Sequence, residues 1–274
     1  LIKGTGKPMD YNRYGTTTRK KIKNSKALQV TPWAKEVILP AHNEMTHHTE
    51  FPKNMAFLCK EPAQYGGETA IYDCARAFEN LSPEMQQKIS NRNVICRKRY
   101  VESASDLRYI SWKQVLGEDT TREQAMEHFS SLGYQCHSIQ EKENGKTLDI
   151  LEIHLLRPMV YQYRGKTCLH ASMIPLTPFW YWQIWPGKTP PLMVTWENGE
   201  PLSYEEFYEL DEAVLAARIR YDGWKKHDVL VVDNPRIAHG RLPYTGERLM
   251  GGLMAQPARF IQNEAQWQVE IVTE

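Results

Sequence analysis

The sequence predicts a mainly β fold with inserted helices. Short apolar runs bounded by turn residues recur along the chain, and helix-start signals fall between them instead of in one block. At 274 residues the chain can bury a substantial core, in one large β domain or in two smaller ones. Many short strands with inserted helices suit a double-stranded β-helix, a jelly-roll barrel, although periodicity leaves other mixed α/β arrangements open.

Residues 1–40 are polar and basic, with a strand expected over Ala34–Leu39 leading into His42. A short helix is expected over Asp73–Glu79 and a second over Pro83–Ile89, opened by Ser82 as N-cap with Pro83 in the first turn. Thr121–Phe129 reads as helix, and Leu148–Ile153 and Val160–Tyr163 read as strands. Ser203-Tyr204-Glu205-Glu206 is a capping box that should open a helix running to about Ile219. Phe207, Leu210, Val214 and Leu215 would form its core face. Strands at Val229–Asp233 and Leu249–Met254 complete the expected elements.

Composition narrows the function. Lys and Arg number 34 against 33 Asp and Glu, a formal net charge of +1, so no global attraction to nucleic acid or to a membrane surface is expected. The runs Arg19, Lys20, Lys21, Lys23 and Arg97, Lys98, Arg99 read as solvated faces. No apolar stretch approaches a bilayer span, and no charged-then-apolar leader opens the chain. Cys59, Cys74, Cys96, Cys136 and Cys168 lack C-x-x-C spacing and read as reduced thiols of a cytoplasmic protein, Cys59 as a small core residue.

Two short stretches almost two hundred residues apart carry the chemistry: His42-Asn43-Glu44 and Asp233-Asn234-Pro235-Arg236-Ile237-Ala238-His239. On an extended strand, side chains two apart share a face, so His42 and Glu44 could grip one ion. His239, following the apolar run Val229–Val232 and an Asn-Pro turn, is the best third ligand. Two imidazoles and one carboxylate form the ligand set of a 2-His-1-carboxylate iron(II) site, which leaves coordination positions open for a cosubstrate and oxygen.

The surrounding pattern resembles the TauD/TfdA (taurine dioxygenase, clavaminate synthase-like) family of iron(II)/2-oxoglutarate oxygenases. It runs from His42-Asn43-Glu44 through Pro52, Cys59-Lys60-Glu61-Pro62-Ala63, Gly66-Gly67-Glu68-Thr69 and Asp73. It resumes at Gly223-Trp224, Asp228, Asp233-Asn234, His239-Gly240-Arg241, Pro243 and Gly246 to Arg248. The resemblance selects the jelly-roll barrel and implies one oxygenase domain over residues 1–274. Because the chain opens on Leu1 and the family has structure upstream, an additional N-terminal segment is expected.

By the same resemblance His42, Glu44 and His239 are iron ligands, Arg248 binds the distal carboxylate of 2-oxoglutarate, and Thr69 bonds a carboxylate of the same cosubstrate. Arg241 stands between a cosubstrate contact and a structural ion pair or carbonyl clamp. The implied reaction consumes oxygen and 2-oxoglutarate and hydroxylates an unactivated C–H bond of a small molecule, with a free or carrier-linked amino acid as the substrate guess. Desaturation or ring closure uses the same oxidant. A zinc hydrolase and a non-catalytic binding module are rivals on the same barrel.

Departures from the family sharpen this expectation. Taurine dioxygenase has a sulfonate-binding arginine four residues beyond the cosubstrate arginine; here the position is Gly252, which argues against taurine. Glu44 replaces the commoner Asp and fills the place that halogenases leave to a halide. Gly165-Lys166-Thr167-Cys168-Leu169-His170 ends in Leu-His where relatives often have Phe-Asn, so His170 is either a substrate-facing or, by default, a packed histidine. His47 and His48 read as polar packing near the metal strand, and His128, His137, His154 and His227 have no spacing that singles them out. The aromatic segment Phe179–Trp185 and the stretch Arg97–Trp112, with Tyr100, Arg108 and Tyr109, could wall the substrate; core packing is the commoner use of such rings.

Overall fold

The computed structural model describes residues 6–9, 20, 22, 27–30, 33–103, 109–143, 145–182, 186–219, 223–264 and 266–273. Arg19, Lys21 and Lys23 of the first basic run, together with Arg108 and Trp185, lie outside the described residues. The chain divides into two compact units, one of residues 1–91, 159–175 and 208–274, the other of 92–158 and 176–207.

The first unit opens with β1 (Leu28–Gln29), β2 (Leu39–His42), β3 (Phe51–Glu61), β4 (Tyr65–Gly66) and β5 (Thr69–Asp73), then α1 (Cys74–Glu79) and α2 (Pro83–Ser90). The second unit receives β6 (Asn93–Val101), β7 (Ile110–Ser111), α3 (Trp112–Leu116), α4 (Arg122–Ser131), β8 (Gln135–Glu143) and β9 (Lys146–Pro158). β10 (Val160–Tyr163) and β11 (Lys166–Leu169) belong to the first unit, α5 (Pro178–Tyr181) and β12 (Leu192–Trp196) to the second. The chain finishes with α6 (Tyr204–Ala216), β13 (Arg218–Ile219), β14 (Val229–Asp233), β15 (Ile237–Arg241), β16 (Tyr244–Thr245), β17 (Leu249–Asn263) and β18 (Gln266–Ile271). The protein is mainly β with few helices.

In the first unit one sheet has the order β11-β10-β18-β17-β3-β14, with β1 also on β17; a second has the order β13-β5-β15-β2. The ladders are antiparallel except between β10 and β18. β3 is buried on most positions because it lies between β17 and β14, and it supplies Phe51, Met55 and Cys59 to the core. Phe51 and Tyr161 each meet the Phe260 ring, at 4.7 and 4.9 Å.

The second unit is built on the sheet β12-β6-β9-β8, with β7 beside β6. Alternation sorts its two faces. Tyr100, Leu151, Ile153 and Leu155 form a core with Trp112, Phe129 and Tyr134 from the flanking segments. The opposite face carries Arg99, Glu152 and His154, linked by hydrogen bonds.

Several expectations hold closely. Asp73 caps α1, Ser82 caps α2 by accepting from Met85 N at 3.2 Å, and Thr121 with Gln124 forms a capping box on α4. Ser203 and Glu206 exchange the two bonds of theirs. Others are corrected. Ala34–Ile38 turns instead of extending, because the carbonyls of Trp33, Ala34 and Val37 all point at the Arg241 guanidinium. α6 stops at Ala216, since Arg218–Ile219 pairs with Ile71–Tyr72 of β5. Leu215 is 48% exposed whereas Leu210, Val214 and Ala217 are buried. At about 100° per residue Leu215 stands well off the arc those three define. Arg97–Arg99 is no solvated face: Lys98 and Arg99 are buried at 7% and 8% exposure within β6.

Candidate metal centre and anion pocket

All three sequence-predicted ligands converge within the first unit. The ligand atoms of His42, Glu44 and His239 lie within 4.8 Å of one another. Glu44 Oε2 is 3.8 Å from His42 Nε2 and 3.7 Å from His239 Nε2. Metal–ligand bonds of about 2.0–2.2 Å place neighbouring ligands roughly 3 Å apart, so a small side-chain adjustment closes this set around one ion. His42 and His239 are cross-strand partners on β2 and β15. Gly240 permits this pairing: a Cβ there would stand 2.5 Å from Leu39 O.

Glu44 reaches the site by a route the two-apart spacing did not predict. β2 ends at His42, and Glu44 sits in the turn that follows, where Met45 is left-handed at φ 62°. Asn234, fully buried, holds that turn. Its Oδ1 accepts from Glu44 N at 2.7 Å, while its Nδ2 donates to Glu44 O at 3.0 Å and Pro52 O at 2.8 Å. Asn43 Nδ2 donates in return to Asn234 O at 2.7 Å. Ser172 Oγ accepts from Asn43 N at 2.7 Å, and Thr46 Oγ1 lies 2.9 Å from Ser172 Oγ and 2.8 Å from His170 Nε2. His170 is therefore a packed, bonded histidine with no exposed surface. Only the Asn-Pro signal hinted at this support; nothing local marked Ser172 or Thr46.

The imidazole chemistry suits a metal. His42 Nδ1 lies 2.9 Å from Pro40 O, an atom that only accepts. A proton on Nδ1 satisfies that carbonyl, so Nε2 is the ring nitrogen turned towards Glu44 and available to a metal. Phe57 packs edge-on against the His239 ring at 4.9 Å.

A small cavity adjoins the three ligands and is walled by Val30, Leu39, Met55 and Phe57 on its apolar side. Thr69, Arg241 and Arg248 complete it. Arg248 donates from Nε to Gly67 O at 3.0 Å and, among the described residues, pairs with no carboxylate. Gly67 is left-handed at φ 74°, and a Cβ there would press within 3.0 Å of Arg248 Cδ, so glycine is required. Burial first, and the Arg241 cation second, pull the Arg248 pKa down to about 10. Arg241 lines the cavity, yet its Nη2 donates to Ala34 O at 2.7 Å and Val37 O at 2.6 Å. Gly252 stands on β17 with its missing side chain aimed at Met55 Cε, 3.0 Å away, and Val30 Cγ1 at 3.7 Å. His47 and His48 pack against each other with tilted rings, centroids 4.2 Å apart.

The remaining candidates have other surroundings in the second unit. Tyr100 and Tyr109 are buried core residues, and Phe179 packs on Tyr204 and Phe207 at 5.5 Å each. His137 and His154, unremarkable in sequence, pack with tilted rings, centroids 4.2 Å apart.

The fold and this centre define a mainly β protein in which two histidines and one carboxylate that could hold a metal ion stand beside a cationic pocket. Residues 4–254 match the family described as taurine catabolism dioxygenase TauD, TfdA, and the chain belongs to that family. It is 21% identical over 230 residues to the dapdiamide synthesis protein DdaC of Enterobacter agglomerans, covering 79% of this chain and 65% of that protein. It is 23% identical over 233 residues to a clavaminate synthase-like protein of Arabidopsis thaliana, covering 77% and 62%. The chain thus spans a little under two thirds of the length of these curated relatives. An asparagine oxygenase solved with Fe(II), 2S,3S-3-hydroxyasparagine and succinate shares the fold, with a TM-score of 0.50, 14% identity and coverage of 92% of this chain and 61% of that one. Among the described residues no helix is long and apolar enough to cross a membrane.

Proposed function

We propose that this protein is an iron(II)/2-oxoglutarate-dependent oxygenase, with the two sheets of the first unit as the walls of a double-stranded β-helix and both units serving one oxygenase domain. The observation that carries the reading is the pairing of His42, Glu44 and His239 with an adjacent half-buried Arg248 that meets no carboxylate among the described residues. A metal triad alone suits zinc hydrolysis equally; a desolvated guanidinium beside it calls for an anionic cosubstrate.

Iron(II) with 2-oxoglutarate and oxygen supplies an oxidant that breaks an unactivated C–H bond while the cosubstrate loses carbon dioxide to give succinate. The chain's own residues do the holding. His42 and His239 offer ring nitrogens, Glu44 a carboxylate fixed by the Asn234 clamp, and Arg248 with Thr69 the donors for a carboxylate. Val30, Leu39, Met55 and Phe57 give the pocket an apolar wall. Arg241 holds the turn before β2 through the Trp33, Ala34 and Val37 carbonyls and is a further candidate cosubstrate contact.

An amino-acid-like small molecule, free or carrier-linked, is the proposed substrate, hydroxylated in specialised metabolism. The dapdiamide synthesis relative supports this class. Met55 and Val30 fill the space beside Gly252 where taurine dioxygenase carries its sulfonate arginine, so taurine fits poorly. All five cysteines are unpaired, which supports a cytoplasmic location.

An anaerobic titration of the protein with iron(II) and then 2-oxoglutarate tests the reading through the visible charge-transfer band of a chelated 2-oxo acid. Wild type should develop the band, and Glu44→Ala should lose both iron affinity and the band. Absence of a band in metal-loaded wild type would overturn the oxygenase assignment in favour of hydrolysis or simple binding.

A further inference from the structure

We propose that Trp224 is a positioning residue for the cosubstrate: its indole N–H holds the Thr69 hydroxyl so that the hydroxyl proton is directed at a carboxylate in the cavity. The proposal rests on the 2-oxoglutarate reading above. Trp224 Nε1 lies 3.1 Å from Thr69 Oγ1, across 155 residues of sequence. Indole N–H is a donor and nothing else, so Thr69 must be the acceptor in this bond. A threonine hydroxyl has one proton and two lone pairs. With one lone pair committed to the indole, the proton swings to a position away from it.

No acceptor among the described residues claims that proton. Among the described residues, Thr69 Oγ1 makes no hydrogen bond besides the one from Trp224. Thr69 is 3% exposed at the start of β5 and lines the same cavity as Arg248 and the three metal ligands. A buried donor and a half-buried cation therefore open onto one space, and both are satisfied by a single carboxylate. Gly223 makes the arrangement reachable. Its left-handed backbone, φ 90°, turns the chain beside Glu68 and brings the indole back against β5. Without the indole, the hydroxyl rotor is free to turn its proton elsewhere and its lone pair towards the anion, which weakens binding twice over.

The test is a double-mutant cycle on the iron(II)-loaded protein under anaerobic conditions, read as the dissociation constant for 2-oxoglutarate from the charge-transfer band. Thr69→Val and Trp224→Phe should each weaken 2-oxoglutarate about 3- to 10-fold, the range for one hydrogen bond. The double variant should bind no more weakly than Thr69→Val alone, and iron affinity without cosubstrate should be unchanged throughout. Trp224→Met, a second side chain without a donor, covers the case in which phenylalanine does not fold. Effects that multiply in the double variant would overturn the proposal, because the indole would then act independently of Thr69. A Thr69→Val variant that binds 2-oxoglutarate normally would overturn the proposal through Thr69 while leaving the oxygenase reading intact. A wild type that shows no band would overturn both.

Discussion

Arg99 and Arg248 are both withdrawn from bulk water, and they are satisfied in opposite ways. Arg99, in the sheet of the second unit, meets Glu152 at 2.5 Å through Nε and Glu141 at 2.7 Å through Nη1. Burial lowers its pKa, and the two glutamates more than reverse that, so the net shift is upward. Arg248, in the first unit, has a carbonyl for its Nε, another arginine for a neighbour, and a pKa pulled down to about 10. A guanidinium neutralised within its own sheet is structural. One that is desolvated beside a second cation is suited to an anion from outside, and Arg248 lines the same cavity as His42, Glu44 and His239, where the proposed cosubstrate would bring one.

Deleting each arginine separates the roles. Arg99→Ala should give the largest stability loss, about 3–5 kcal/mol, because it leaves the Glu152 carboxylate buried with only His154 beside it. Urea unfolding measures it; a loss under 1 kcal/mol would mean that Glu152 is neutralised by His154 alone. Arg248→Ala should leave unfolding within about 1 kcal/mol of wild type. It should instead weaken 2-oxoglutarate by about 2–5 kcal/mol of binding free energy, with much less effect on the primary substrate. Unchanged cosubstrate affinity would transfer the role to Arg241.

Lys98 extends the comparison to a cation that, among the described residues, pairs with no carboxylate. It lies on the apolar face of β6, 4.6 Å above the Tyr100 ring, and among the described residues its amine has no hydrogen-bond partner. Burial drives its pKa down to about 7. An unfolded lysine holds its proton up to about pH 10.4, so between those values the unfolded chain binds more protons than the folded one. Stability linked to Lys98 should therefore rise with pH from about 7 to about 10, and the full cost is present below 7. Lys98→Met should flatten that slope and stabilise the protein at pH 7 by about 1–3 kcal/mol. Parallel slopes for the two proteins would show the amine to be solvated.

These cations also mark where sequence reasoning stopped. The cluster of candidate ligands was legible because residue chemistry and order survive any local geometry: His42, Glu44 and His239 converge even though Glu44 lies in a turn and not on the strand. The helix caps were legible because each is a local exchange between a side chain and a nearby N–H. Arg97-Lys98-Arg99 was misread because charge dominates its composition, whereas alternation within β6 divides the run between two faces. The missing strand at Ala34 has a similar origin. Its carbonyls are claimed by Arg241, more than two hundred residues away, and no local pattern carries that information. Asn234 and Trp224 belong to the same class, since their partners Glu44 and Thr69 are distant in sequence.

The smallest effect belongs to an arginine that never leaves water. Arg259 meets Glu270 at 2.6 Å across β17 and β18, in a register that makes them direct neighbours, and its side chain is 52% exposed. Geometrically this pair is as good as Arg99 with Glu152. If distance set the energy, the two would matter equally. Water already solvates both Arg259 and Glu270 in the unfolded chain, and salt screens them in the folded one, so the pair should contribute no more than about 1 kcal/mol. Arg259→Ala should shift the urea midpoint slightly at low salt and not measurably at 1 M sodium chloride. The Arg99→Ala deficit should persist at both ionic strengths. A loss at Arg259 comparable to that at Arg99 would show that contact geometry outweighs burial, and the contrast between Arg99 and Arg248 would then need a different cause.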